Sequence, residues 1–146
     1  MESEIDVVLI SNCYNIVEQG ALELLPVCKE RKVAVLNAGV FASGILASNR
    51  KKMAGYRYAK APPAVRRKVE SFWTLCKKHG VSRHAAALQF AAAPPEVTSL
   101  LVGAVSARQL RDNIAALSAP IPGEFWDELA TVCGIPQEAQ FPHRRA

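Results

Sequence analysis

A chain of 146 residues, half of them hydrophobic and with a mean hydropathy near zero, is long enough for one soluble domain with a real core. No apolar run reaches the roughly 18 residues of a membrane span, and MESEIDVV has no signal-peptide pattern, so the expected setting is the cytoplasm. The net charge of +5 is split among small clusters, Arg50-Lys51-Lys52, Arg66-Arg67-Lys68, Lys77-Lys78 and Arg144-Arg145. No nucleic-acid motif accompanies them, which argues against such a partner. Cys13, Cys28, Cys76 and Cys133 are far apart and have no histidine at ligand spacing, so they read as structural thiols rather than a metal site.

In chain order, Ile5–Ile10 is a β-branched run that reads as a first strand, followed by the polar turn Ser11–Asn15. Ala21–Lys32 reads as a short helix with Leu22, Leu25 and Cys28 on its apolar face. Pro26 must lie in its first turn or bend it. Val33–Leu36 is the second strand, and Asn37–Leu46 a loop of small residues in which Gly39, Ser43 and Gly44 let a ligand approach the backbone. Ala47–Pro63 has no periodicity and reads as a long surface connection of the kind that covers sites.

Helical spacing returns over Ala64–His79, stopped by Gly80. Ser82 then caps an alanine-rich helix over 83–93 that can pack close to a neighbour. After Pro94-Pro95, Val97–Val102 is the third strand. Gly103 ends it, Ser106 stands as an N-cap with Gln109 completing a capping box, and Leu110, Ile114 and Leu117 form an apolar stripe. A helix N-terminus presented at such a turn is a ready anion site. Pro122 opens a last helix that Gly134 closes, and residues 137–146 read as a loose tail beyond a domain of residues 1–136.

Strands alternating with helices imply an α/β fold with a parallel sheet and right-handed crossovers. Ligands of such sheets bind at the carboxyl ends of the strands, where the loops after Ile10, Leu36 and Val102 gather the unusual small and polar residues.

The segments IDVVLISNCYNIVEQ, LLPVCKERKVAVLNAGVFASGILA and AALQFAAAPPEVTSLLVGAVSARQLRDNIAAL, with the ending PIPGEFWDEL, resemble the second half of an aldo/keto reductase. Within that family they are most similar to the sugar 1-dehydrogenase branch, the fucose, threo-aldose and galactose dehydrogenases. The resemblance implies the C-terminal part of a (β/α)8 barrel, about three βα units and a terminal helix. The implied activity is hydride transfer between NAD or NADP and a sugar or other aldehyde or hydroxyl substrate.

Position by position, the resemblance places Gly103 and Ser106 near the cofactor phosphate, Asp112 and Asn113 near the adenine, and Gly39, Phe41 and Ser43 along the pyrophosphate. Gln109 falls where NADP-preferring members often carry a basic residue; it either meets the cofactor or only closes the capping box. With no positive charge at Val105 or Gln109, and Arg108 and Arg111 on another helix face, the preference leans to NAD. The family's nicotinamide-stacking tyrosine falls at Ala38, and its strand glutamine at Ser11 or Asn12.

The catalytic aspartate, tyrosine, lysine and histidine of the family come from its first half, and none is matched here. Tyr14 reads as packing at a strand end, and His79, His84 and His143 match no catalytic position. Barrels of this kind need at least about 200 residues. The expectation is therefore a fragment, inactive alone, that self-associates or pairs with an N-terminal half-barrel. The alternative is a non-catalytic nucleotide-binding or interaction module using its open barrel edge.

Overall fold

The computed structural model describes residues 4–48, 56–57 and 59–144. Arg50-Lys51-Lys52, Gly55, Tyr58 and Arg145, read above within the surface connection and the basic clusters, lie outside them. Three strands, β1 (Val7–Ser11), β2 (Ala34–Ala38) and β3 (Val97–Leu101), form one parallel sheet in the order β1-β2-β3. The helices are α1 (Leu24–Glu30), α2 (Pro63–His79), α3 (Arg83–Ala92), α4 (Ala107–Leu117) and α5 (Gly123–Val132). They cover one face of the sheet, giving part of a (β/α)8 barrel.

Register explains where the strands lie. Val7 pairs with Ala34 and Ser11 with Ala38, so β1 begins two residues later than its first β-branched residue. Asn37 and Ala38, read above as the start of the loop, belong to β2, because Ala38 pairs with both Ser11 and Leu101. Alternation then puts Val8 and Ile10 against the helices and leaves Val7 and Leu9 on the face that points into a barrel. Pro26 lies within the first turn of α1, where its missing N–H leaves no broken helical bond.

The helix signals act as their chemistry requires. Gly80 ends α2 in the left-handed conformation at φ 65°, and Ser82 Oγ accepts from the Ala85 amide. Helix α3 is buried on most sides through Ala85, Ala86, Ala87, Leu88, Phe90 and Ala91. On α4 the expected stripe is not the buried side. Leu110, Ile114 and Leu117 are 52, 61 and 44% exposed, while Asn113 and Ala116 are buried. Helix α4 packs on α3 through Ala116, and Gln89 Nε2 of α3 donates to the Ala116 and Ala119 carbonyls at 2.9 and 2.7 Å. The stripe is left beside the free edge of β3.

The tail corrects another expectation. Ala139 and Phe141 are buried, and a 3-10 turn follows at Pro142–Arg144. The Phe141 ring lies edge-on to Phe90 of α3 at 5.5 Å and tilted against Trp126 of α5 at 6.4 Å. A pocket built by two distant helices fixes it, which no local pattern in the tail announces. Phe141→Ala should destabilise the fold by about 3 kcal/mol, the cost of emptying a buried aromatic position. A urea midpoint equal to that of the unsubstituted chain would show that the tail is not part of the core.

Helices α2 and α5 are joined by a charged clamp. Lys78 Nζ donates to both oxygens of Glu128, at 2.9 and 2.6 Å, and His79 Nε2 lies 3.1 Å from Oε1. The Lys78 hydrogen bond, with the Lys78 charge and His79 adding to it, holds the Glu128 carboxyl below its ordinary value of 4.5. A carboxyl lowered in the fold is protonated first in the unfolded chain. The clamp therefore contributes fully above the unfolded value and is lost as pH falls through the folded one. Glu128→Gln should flatten the acid limb of the stability profile. An unchanged slope between pH 3 and 5, roughly the carboxylate window, would show the pair to be solvated.

Candidate functional site

The carboxyl ends of the three strands open into turns whose backbones are unusual. Asn12, after β1, has φ 54°, and its amide donates to the Ala38 carbonyl at 3.1 Å. Gly39, after β2, faces it at φ 69°. A Cβ there would lie 2.6 Å from Asn12 Cγ and Oδ1, so only glycine lets the two strand ends close on one another. Ala42, Ser43 and Gly44 continue with positive φ, folding the loop after β2 back over the sheet end.

Side chains anchored deep in the fold hold this mouth. Asn37 on β2 is fully buried and donates to the Tyr14 carbonyl at 3.0 Å and the Ala91 carbonyl at 3.1 Å, tying β2 to the loop after β1 and to α3. Tyr14 is fully buried and stacks parallel to Phe90 at 5.3 Å. Burial pushes its hydroxyl up to about 12, with the Gln140 backbone opposing. Tyr14 is therefore part of the packing.

The loop after β3 delivers the α4 N-terminus. Ser106 Oγ accepts from the Gln109 amide at 3.2 Å, and Gln109 Oε1 accepts from the Val105 amide at 2.8 Å. This is the capping box shifted by one residue, since the glutamine reaches past the cap to the residue before it. Among the described residues, the Ala107 and Arg108 amides have no intrachain acceptor. A Cβ at Gly103 would meet nothing within 4 Å, so that position opens on free space.

Of the expected contact residues, Gly103, Ser106 and Gln109 are gathered at this helix start. Asp112 lies on the exposed side, 3.9 Å from Arg108 Nε. Asn113 turns inward. It is 5% exposed, and neither atom of its amide has a hydrogen-bond partner among the described residues. A buried, unpaired amide is costly, and such groups mark either strain or an absent partner.

Around the second turn, Phe41 is held against α3 by His84, ring centroids 4.9 Å apart. Ser43 Oγ accepts from the Arg57 amide at 3.0 Å. Arg57 escaped the sequence reading. Its Nη2 donates to the Asn12 carbonyl at 2.9 Å and lies 3.8 Å from Glu18, which holds Arg57 at the mouth. The connection has no periodicity, so nothing local marks this residue.

Among the described residues no cluster of three or more metal-ligating side chains occurs, and no helix is long and apolar enough to cross a membrane.

Comparison with known proteins shows which family this fold belongs to. The chain is 35% identical over 129 residues to a pyridoxal 4-dehydrogenase of Microbacterium luteolum, covering 88% of this chain and 38% of that protein. It is 34% identical over 137 residues to a D-threo-aldose 1-dehydrogenase of a Pseudomonas species, covering 92% and 42%. An L-galactose dehydrogenase of Arabidopsis thaliana is 30% identical over 114 residues, with 78% and 34% covered. The fold matches the holo form of aldo-keto reductase AKR11C1 from Bacillus halodurans with a TM-score of 0.66 at 22% identity, covering 99% of this chain and 47% of that one. The chain thus spans less than half the length of these relatives. The sequence model of the aldo/keto reductase family matches residues 1–133, and with relatives this similar and the fold in common, the chain belongs to that family.

Proposed function

We propose that these strand ends form the nucleotide-holding part of the cofactor site of an NAD(P)-dependent oxidoreductase acting on a sugar or other aldehyde or hydroxyl compound. The observation that carries this reading is the buried amide of Asn113, unpartnered on both atoms, two turns beyond a Ser106-capped helix start with free amides. A nucleotide fits both features. Its phosphates suit the Ala107 and Arg108 amides and the positive helix end, with Gly103 leaving the approach open. The donor–acceptor edge of an adenine suits the Asn113 amide, which offers one donor group and one acceptor. Gly39, Phe41 and Ser43 would lie along the pyrophosphate.

A bound cofactor would give or accept the hydride, and this chain's residues would bind and orient it. Asp112 remains a candidate adenine neighbour that would first have to leave Arg108. Gln109 spends its oxygen on Val105, so only its amide nitrogen is available to a ribose or phosphate. With Arg108 turned to Asp112, no cation is committed to a 2′-phosphate at this turn. The reading is NAD preference or mixed use.

Titration calorimetry with NAD and NADP tests it, expecting NAD to bind at least as tightly. NADP binding about tenfold tighter, a difference of about 1.4 kcal/mol, and losing that advantage in Arg108→Ala or Arg111→Ala would overturn the cofactor preference. A non-catalytic nucleotide-binding role for the chain by itself is the second reading. It is favoured by the full burial of Tyr14, which takes one of the tyrosines near the mouth out of acid chemistry.

A further inference from the structure

A groove that no strand residue lines runs between α2 and α5. It holds about 480 Å³, with Arg67, Ser71, Thr74 and Lys78 along one wall and Glu128 and Val132 along the other. The two helices run antiparallel: Lys78 holds Glu128 near one end, and Cys133 Sγ meets the Lys68 carbonyl at 3.7 Å near the other. Helical spacing continues the α5 wall to Glu124, one turn before Glu128. The walls differ in sign. Helix α2 carries Arg66, Arg67, Lys68, Lys77 and Lys78 against the single acid Glu70. Helix α5 carries Glu124, Asp127 and Glu128 and no lysine or arginine. Lys78 and Glu128 join the walls within the chain. Arg67 and Glu124, at opposite ends of the groove, have no ion-pair partner among the described residues.

We propose that this groove is the two-fold face of a homodimer, in which α2 of one copy lies over α5 of the other. The occupant follows from charge and symmetry. A two-fold axis through the middle of the groove exchanges its walls and its ends together. It therefore carries Arg67 of one copy onto Glu124 of the other, and the basic wall as a whole onto the acidic one. Such a contact is isologous, so the Arg67–Glu124 pair forms twice. A partner of one sign fits less well. An acidic segment would meet Glu124 and Glu128, and a basic one Arg67 and Lys78, each at the cost of like charges across the contact. Val132, 44% exposed, would be covered by Thr74 and the aliphatic stem of Lys78 from the other copy. The inference rests on the outer helices and holds whether or not the strand ends bind a nucleotide.

Sedimentation equilibrium of the full chain over a concentration series reads the assembly. The expected result is a monomer–dimer equilibrium that goes no further than the dimer. Arg67→Glu alone and Glu124→Arg alone should each weaken the dimer about tenfold or more, since each sets like charges against one another twice. The double reversal restores opposite signs and should recover most of the affinity, which a loss of folding in either variant could not do. Glu30→Lys, on the exposed surface of α1, should leave the dimer unchanged. A dimer that keeps its strength in both single reversals would lie on another face, such as the exposed side chains of β1 and β3, and would overturn the proposal. So would a chain that gives no discrete dimer, whether it is monomeric or aggregated. A double reversal that associates no better than the single ones would also refute it.

Discussion

Mixed with NAD or NADP and L-fucose or L-galactose, or with NADH or NADPH and a simple aldehyde, the purified 146-residue chain is expected to give no change in nicotinamide absorbance. Moving a hydride to a carbonyl requires a proton donor within hydrogen-bond reach of the carbonyl oxygen, and the reverse oxidation requires the same group to take the hydroxyl proton, with a pKa suited to the exchange. Tyr14 is fully enclosed, stacked on Phe90, and pushed up to about 12 by burial. Tyr56 is also buried. Neither can reach a substrate in the mouth without unpacking the core. A positioned acid contributes about 10²–10⁴ in rate, and holding a cofactor does not replace it, because binding alone does not favour the transition state. Turnover by the chain alone, abolished in Tyr14→Phe, would show that it carries its own acid and overturn this account.

The second large effect is expected at Asn37. Its amide gives both hydrogens to buried carbonyls, those of Tyr14 and Ala91, from the middle of the sheet. Asn37→Leu keeps the volume and leaves two acceptors without donors. At about 1–3 kcal/mol for each buried unsatisfied group, the fold should lose about 3 kcal/mol. Asn37→Asp should lose more, because a carboxylate has only acceptors to offer those carbonyls. Urea unfolding of the three chains measures this. Equal midpoints for the asparagine and leucine forms would mean that the two hydrogen bonds do not hold the strand ends together.

The parts of this fold legible in the sequence are those set by near neighbours. Ser82 and Ser106 cap their helices because each side chain needs only the backbone three residues on. Gly80 stops α2 through its own φ. The parallel order follows from alternation and short connections, and the family resemblance was carried by the same segments that became β1, β2 and β3.

What local pattern could not give was decided at a distance. The Leu110 stripe has helical spacing, yet the side of α4 that is buried is the one carrying Ala116, because that is where α3 packs. Phe141 belongs to a tail of polar residues and is buried because α3 and α5 leave a ring-sized place for it. Gln109 satisfies the capping-box spacing, but its acceptor bond goes to Val105 rather than to Ser106, a choice made by the turn after Gly103. Arg57 reaches Asn12 across a connection with no repeat to read.

The same reasoning singles out Asn113. A helix that buries an amide with no partner sacrifices stability, and a leucine of similar size would remove that cost. Proteins keep such costs where a ligand repays them. The direct measurement is a paired one on Asn113→Leu: the unfolding midpoint, and the affinity for ADP-ribose by calorimetry. The account predicts a chain as stable as the original or more so, with ADP-ribose bound about tenfold more weakly or worse, about 1.4 kcal/mol or more. A leucine chain that binds ADP-ribose as well as the original would contradict it.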